Sequence, residues 1–121
     1  MIKTNLNWSK IIELNENEMS FVNEVPAVYR LSYLNQNDGK YYIYYVGQAT
    51  NLKARLGEHL PNAEVNECCK GYLKNYICYF RAAIIRSQGD RDGAEVALYN
   101  HFSPSCPERI PDVDPIDINF E

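Results

Sequence analysis

The sequence lacks several features that would assign a class at once. None of its apolar runs approaches the ~18 residues that cross a bilayer, so we expect no transmembrane helix and no membrane partner. The N-terminal segment has no apolar stretch of the kind found in signal peptides, which predicts a cytoplasmic protein. No helix-turn-helix, zinc-finger or basic-arm pattern is present. Membrane proteins and modular sequence-reading DNA binders are therefore not expected.

The four cysteines in 121 residues include no C-x2-C pair of the kind that binds zinc. Cys68 and Cys69 are adjacent, which is poor geometry for a disulfide between them. A free cysteine behaves as a small buried hydrophobe. We therefore expect reduced, buried thiols.

Positive charge is also limited, because the chain carries 12 basic and 16 acidic residues and a net charge of −4. The acidity lies in the flanks, since residues 30–91 contain nine Lys or Arg and five Asp or Glu. Residues 1–29 and 92–121 are both acidic. A mildly basic middle permits a nucleic-acid surface but does not require one.

The pattern of the chain is organised around residues 41–60, YYIYYVGQATNLKARLGEHL. Its first six residues are apolar or aromatic on both faces, which predicts a strand at or near the centre of a sheet. Gly47 follows, where the backbone needs either a conformation or a close approach that a side chain would block. Thr50 or Asn51 can cap the next helix, and Pro61 would break it.

The remaining pattern predicts an α/β mixed (α+β) fold with a small, mainly antiparallel, three-stranded sheet flanked by helices. Residues 26–34 pair with the aromatic strand through an Asp-Gly hairpin turn, and residues 77–85 supply the third strand. Further helices are expected over residues 64–76 and 90–102, from their apolar spacing.

The flanks predict a division of the chain into three parts. Residues 1–25 are an expected appendage, with a short helix capped by Ser9. Residues 26–108 form the expected domain. Residues 109–121 form an acidic tail that contains proline.

Glu95 is an unusual residue in the last predicted helix. Leu98, Tyr99 and Phe102 share its face, where an unpaired carboxylate is costly. Either this carboxylate pairs with a core arginine or reaches the edge of the face, or it points into a functional site such as a metal site.

The order of these features resembles the GIY-YIG nuclease superfamily. Residues 27–29, Ala-Val-Tyr, match the family's Gly-Ile/Val-Tyr motif, and residues 45–47, Tyr-Val-Gly, match its Tyr-Ile/Val-Gly motif. Arg55 lies ten residues after the tyrosine of the second motif, which is the family's spacing. His59 matches a histidine found in part of the family, and Glu95 matches its metal-binding glutamate.

The chain departs from the family pattern at two main positions. Gln48 stands where many members have a lysine directly after the second motif. Pro107 stands near the position of the family's asparagine, and proline has no amide side chain. Ala27 in place of the first motif's glycine is a milder change.

The resemblance implies a metal-dependent endonuclease that hydrolyses DNA phosphodiester bonds. Glu95 would hold one divalent cation, Mg²⁺ or Mn²⁺, and Arg55 would contact the scissile phosphate. Tyr29 would act as general base, Tyr45 would position water or phosphate, and His59 would share in proton transfer.

Substrate contacts are expected from Gly47, Gln48 and Lys53, with DNA as the partner. Specificity would come from DNA structure, from a protein partner or from a homo-oligomer. Two alternatives are open. The first is a weak or inactive GIY-YIG-like domain that binds nucleic acid. The second is a protein-interaction domain whose aromatic strand and acidic tail form the contact surface.

Overall fold

The computed structural model describes residues 4–106 and 109–120. Its elements, in chain order, are β1 (Ile12–Glu13), α1 (Glu16–Met19), β2 (Ala27–Asn35), β3 (Lys40–Ala49), α2 (Leu52–Glu58), α3 (Glu67–Asn75), β4 (Cys78–Ile84) and α4 (Gln88–Phe102). The strands form one antiparallel sheet in the order β1-β4-β2-β3. The predicted α+β fold is confirmed, with four strands rather than three. Within the described ranges, no helix is long and apolar enough to span a bilayer.

The additional strand, β1, comes from the N-terminal segment. Ile12 lies opposite Phe80 of β4, and the Ser9 amide donates to the Ala82 carbonyl at 2.8 Å. The helix predicted to begin at Ser9 is therefore wrong. A short helix in isolation is marginal, and the free edge of β4 supplies the backbone partners that this segment needs.

The aromatic strand β3 lies at an edge of the sheet, so its predicted central position is wrong. Tyr41 and Tyr42 at its start are 44% and 40% exposed, whereas Tyr44, Tyr45 and Val46 are buried. The buried half resembles a central strand in sequence because helices cover both of its faces: α2 and α3 on one side, and α4 on the other.

A β-bulge at Tyr44 sets the direction of the tyrosines in β3. Leu31 pairs with Tyr45 and Ser32 pairs with Ile43, so Tyr44 is the extra residue. Tyr44 and Tyr45 consequently belong to the same hydrophobic cluster. The side chains of the strand therefore do not alternate strictly between the two faces of the sheet, as a simple strand pattern would have them do. The bulge shifts the alternation by one residue.

Capping residues fix where the helices near the site begin. The Asn51 side chain accepts the Ala54 amide at 3.1 Å and starts α2. The Ser87 hydroxyl caps α4, which begins at Gln88, two residues before the predicted start. Both caps satisfy amides that have no partner inside the helix.

The two flanks of the chain lie side by side against the sheet. Leu6, Leu14 and Ile118 are buried, and the Asn119 side chain exchanges hydrogen bonds with both backbone groups of Leu6. The flanks therefore contribute to the core. The division into residues 1–25, 26–108 and 109–121 stays a prediction.

Two of the cysteines form a disulfide, so the expectation of reduced thiols is wrong for them. Cys68 in α3 is bonded to Cys106, with their Cα atoms 5.6 Å apart and a sequence separation of 38. The pairing becomes visible only when α3 packs beside the segment after α4. Cys69 and Cys78 are free and buried, and desolvation raises their pKa to about 12 and about 11.

Candidate active site

Gly47 brings two tyrosines together between β2 and β3. Tyr29 lies opposite Gly47 in the sheet, and a Cβ atom on Gly47 would lie 2.6 Å from the Tyr29 hydroxyl and 3.0 Å from Cε1 of Tyr45. The two tyrosine rings stack with their centroids 6.1 Å apart. Only glycine leaves room for this approach, as the sequence led us to expect.

His59, the residue that ends α2, contacts both tyrosines. Its Nε2 lies 2.8 Å from the Tyr29 hydroxyl, and its ring meets the ring of Tyr45 edge-on at 4.8 Å. The side chain is fully buried. Desolvation lowers the pKa of His59, and the charge of Arg55 lowers it further, against the opposing effect of the Glu64 carboxylate. The imidazole is therefore neutral at pH 7.

Arg55, one helical turn before His59, connects this group to the surface. Its Nη2 donates to the Tyr45 hydroxyl at 3.0 Å, and its Nη1 donates to Glu58 Oε1 at 2.9 Å. The Arg55 side chain is 34% exposed. It lines a cleft of about 320 Å³ that also contacts Gln48. Because an exposed ion pair is weak, Glu58 can release this guanidinium to a phosphate.

Glu95 lies on α4 and is 5% exposed. Its Oε1 accepts a hydrogen bond from Gln48 Nε2 at 2.9 Å, and the same nitrogen donates to Asp92 Oδ1 at 2.7 Å. Desolvation is the main cause of a raised pKa at Glu95, and the charge of Asp92 adds to it. The hydrogen bond from Gln48 and the charge of Arg55 oppose this rise. A neutral amide thus bridges two carboxylates in a partly buried place.

The residues around Glu95 fit the single hard cation that the resemblance implies. Carboxylate oxygens are the ligands that Mg²⁺ prefers, and here two of them converge on the Gln48 amide nitrogen, which a bound cation would replace. In the part of the chain that the structure describes, no group of three or more His, Cys, Asp or Glu side chains could hold a metal. Water and substrate would therefore complete the coordination of the ion, as is usual for Mg²⁺.

The structure brings together most of the residues that the sequence predicted. One group of contacting residues contains Tyr29, Tyr45, Gly47, Arg55 and His59. A second group contains Gln48 and Glu95; Gln48 lines the same cleft as Arg55, and the charge of Arg55 acts on Glu95.

Two predicted positions are not part of either group. Lys53 is half-buried in the first turn of α2, and the described hydrogen bonds do not connect it to these residues. Pro107, near the expected asparagine, lies outside the described residues.

Three polar neighbours of these residues were not predicted: Glu64, Asp92 and Gln88. Asp92 carries a usable signal, because it lies three residues before Glu95 and so on the same helix face. Gln88 donates to both Asp92 and Gln48, at 2.8 and 2.9 Å. Glu64 has no such signal, since its contact depends on the turn after α2.

These elements define the fold of a GIY-YIG endonuclease domain, and the predicted resemblance is confirmed at the level of the fold. The solved structures to which this chain is similar include the N-terminal GIY-YIG endonuclease domain of UvrC from Thermotoga maritima. Its magnesium-bound form has a TM-score of 0.56 and 16% sequence identity, over 76% of this chain and 93% of that chain. A point mutant bound to its catalytic divalent cation has a TM-score of 0.56 and 17% identity, over 77% and 93%. No protein-family model and no curated protein matches the sequence.

Proposed function

We propose that this protein is a metal-dependent endonuclease that hydrolyses DNA phosphodiester bonds. The observation that carries the proposal is the pairing of Arg55 with Tyr45 and of Tyr29 with His59 around Gly47, on a GIY-YIG fold. The carboxylate of Glu95 accepts a hydrogen bond from Gln48, which lines the same cleft as Arg55. Each group supplies one requirement of phosphodiester hydrolysis: charge on the phosphate, a proton acceptor and an anionic metal ligand.

Each residue has one chemical role in this proposal. Arg55 binds two oxygens of the scissile phosphate through its planar guanidinium, and Tyr45 orients that guanidinium. Tyr29 removes the proton of the attacking water, and His59 takes up the phenol proton. Glu95, with Asp92 beside it, would hold a divalent cation, which when bound stabilises negative charge on the phosphate and the leaving oxygen.

Access of water to Tyr29 requires a local movement. The Tyr29 side chain is fully buried, while Arg55 is the exposed member of the group. We expect DNA to draw Arg55 away from Glu58 and toward its phosphate, while the hydrogen bond to Tyr45 is kept. This movement opens the group from the cleft side.

A weak or inactive nucleic-acid-binding domain is the second candidate. It is favoured by the Gln48 amide, which already bridges Asp92 and Glu95, and by the burial of Tyr29. In that case the mildly basic middle of the chain binds the DNA backbone without cleavage. Such binding weakens linearly on a logarithmic plot against salt.

Cleavage of plasmid and branched DNA in Mg²⁺ or Mn²⁺ tests the proposal. We expect Arg55→Ala to cut about 100-fold more slowly or worse, because it removes the charge on the phosphate. Arg109→Ala is the matched control, since it removes an exposed arginine from the C-terminal segment. Equal loss in both variants contradicts the assignment of Arg55. Salt-dependent binding without cleavage by the wild type supports the second candidate.

A further inference from the structure

Glu64 is a buried carboxylate with a complete set of partners. It is 6% exposed and lies in the turn between α2 and α3. Its Oε1 is 2.7 Å from His59 Nδ1, and its Oε2 accepts the backbone amides of Val65 and Asn66 at 3.1 and 3.3 Å. A carboxylate removed from water is retained only where such bonds compensate it.

These bonds fix the tautomer of His59. The carboxylate acts as an acceptor toward two backbone amides, and the tautomer that matches this role has the proton on Nδ1 of His59, which donates to Glu64 Oε1. The neutral ring then has a lone pair on Nε2, and the Tyr29 hydroxyl donates to it at 2.8 Å. The phenol proton thus points inward, along a line from Tyr29 through His59 to Glu64.

We propose that Glu64 is a positioning residue that makes His59 the proton acceptor of Tyr29, so that Tyr29, His59 and Glu64 form a buried proton relay. The inference rests on the proposed function, because the relay prepares Tyr29 to act on water. Glu64 contacts neither water nor phosphate. It holds the imidazole in one tautomer and stabilises the positive charge that the ring acquires.

The Tyr29 proton passes to Nε2 of His59 and leaves a phenolate. The phenolate takes a proton from the attacking water as the new O–P bond forms. The ester P–O bond breaks, and the leaving oxygen takes a proton from solvent. His59 then releases its extra proton to solvent, and Tyr29 is again a phenol.

Other charged and titratable groups around His59 explain why the relay needs a carboxylate. Tyr29 and Tyr45 face it from β2 and β3. Arg55 and Glu58 act on it from α2, and Cys69 of α3 contacts Glu64. Arg55 opposes an imidazolium, and Glu58 is exposed and engaged with Arg55. The carboxylate of Glu64 is the buried group placed to stabilise the protonated ring.

The test uses Glu64→Gln in the full chain, with Glu67→Gln as its matched control. Glu67 is an exposed carboxylate three residues away that pairs with Lys70. ¹⁵N NMR of His59 reports the tautomer without any DNA. We expect the Nδ1–H form in the wild type and in Glu67→Gln. We expect a lower His59 pKa and a mixed tautomer in Glu64→Gln, where an amide replaces the carboxylate.

Kinetics give the second readout. We expect Glu64→Gln to lower kcat about 10-fold or more with little change in KM, and to shift the pH profile of kcat. Glu64→Asp retains the charge and should recover part of kcat and part of the wild-type pH profile. This recovery also distinguishes the relay from a general loss of folding. An Nε2–H tautomer in the wild type overturns the proposal, as does a Glu64→Gln variant with an unchanged tautomer and pH profile.

The relay and the proposed function can fail separately. If the wild type does not cleave DNA, the nuclease proposal fails, and the tautomer decides the relay. A His59 with Nδ1–H that loses this preference in Glu64→Gln supports the relay. A tautomer that Glu64→Gln leaves unchanged overturns it.

Discussion

Replacement of Gly47 by alanine tests the packing of the site most sharply. The new methyl group would lie 2.6 Å from the Tyr29 hydroxyl and 2.7 Å from its Cζ atom. Since carbon atoms pack at ~3.5–4.0 Å, the Tyr29 ring must retreat by about 1 Å. Both tyrosines are buried, so the ring has no open space to enter. Because the Tyr29 hydroxyl is the atom nearest the new methyl group, its displacement disturbs the 2.8 Å contact with His59.

The magnitude follows from three contributions. Overpacking a dense core costs ~1–3 kcal/mol, and loss of the Tyr29–His59 hydrogen bond adds about 1 kcal/mol. The lower entropy of alanine in the unfolded chain offsets ~0.4–1 kcal/mol. We expect Gly47→Ala to lower the free energy of unfolding by about 1–3 kcal/mol, from these same contributions.

Urea unfolding followed by circular dichroism measures this change. Gly71→Ala in α3 is the matched control, because no atom lies within 4 Å of a Cβ placed there. Alanine inside a helix is favoured over glycine, so we expect the control to gain ~0.5–1 kcal/mol. Equal shifts of the unfolding midpoint in the two variants would refute the proposed contact between Gly47 and Tyr29.

The remaining predictions concern pH and redox conditions. His59 has a lowered pKa, mainly through desolvation, so the unfolded chain binds its proton more readily and stability falls as pH drops below ~6.5. Thermal unfolding at pH 7.5 and 5.5 should therefore show a smaller loss in His59→Gln than in the wild type; equal losses would contradict the lowered pKa. Cys68→Ser opens the disulfide to Cys106, and we expect a loss of ~3–4 kcal/mol in oxidising buffer for a 38-residue separation. Dithiothreitol should remove this difference, and a difference that persists would mean that Cys68 acts by packing alone.

Local pattern predicted much of the fold. The hairpin of β2 and β3 follows from its Asp-Gly turn, and α2 follows from Asn51 and its apolar stripe. Pairing between distant segments could not be read in the same way. The strand at Ile12 exists because β4 offers an open edge. The edge position of β3 depends on which strands pair with which in the sheet.

The residues of the candidate site likewise divide into those that local sequence predicts and those that only the folded chain brings together. Tyr29, Tyr45 and Arg55 could be chosen because motif spacing fixes them, and in the structure Arg55 donates to Tyr45, whose ring stacks with that of Tyr29. Glu64 could not be chosen, since it meets His59 through the conformation of a turn. The bulge at Tyr44 likewise escapes a period-two pattern, although it places Tyr45 in the same cluster as Tyr29.

The central claim is tested most directly by the rate at which the full chain cleaves DNA in Mg²⁺ with and without the Glu95 charge. Glu95→Gln keeps the size of the side chain and removes the anionic ligand. We predict that the wild type cleaves DNA and that a chelator abolishes this cleavage. We predict that Glu95→Gln reduces the cleavage rate by about 100-fold or more. Cleavage by Glu95→Gln at the wild-type rate would contradict the account.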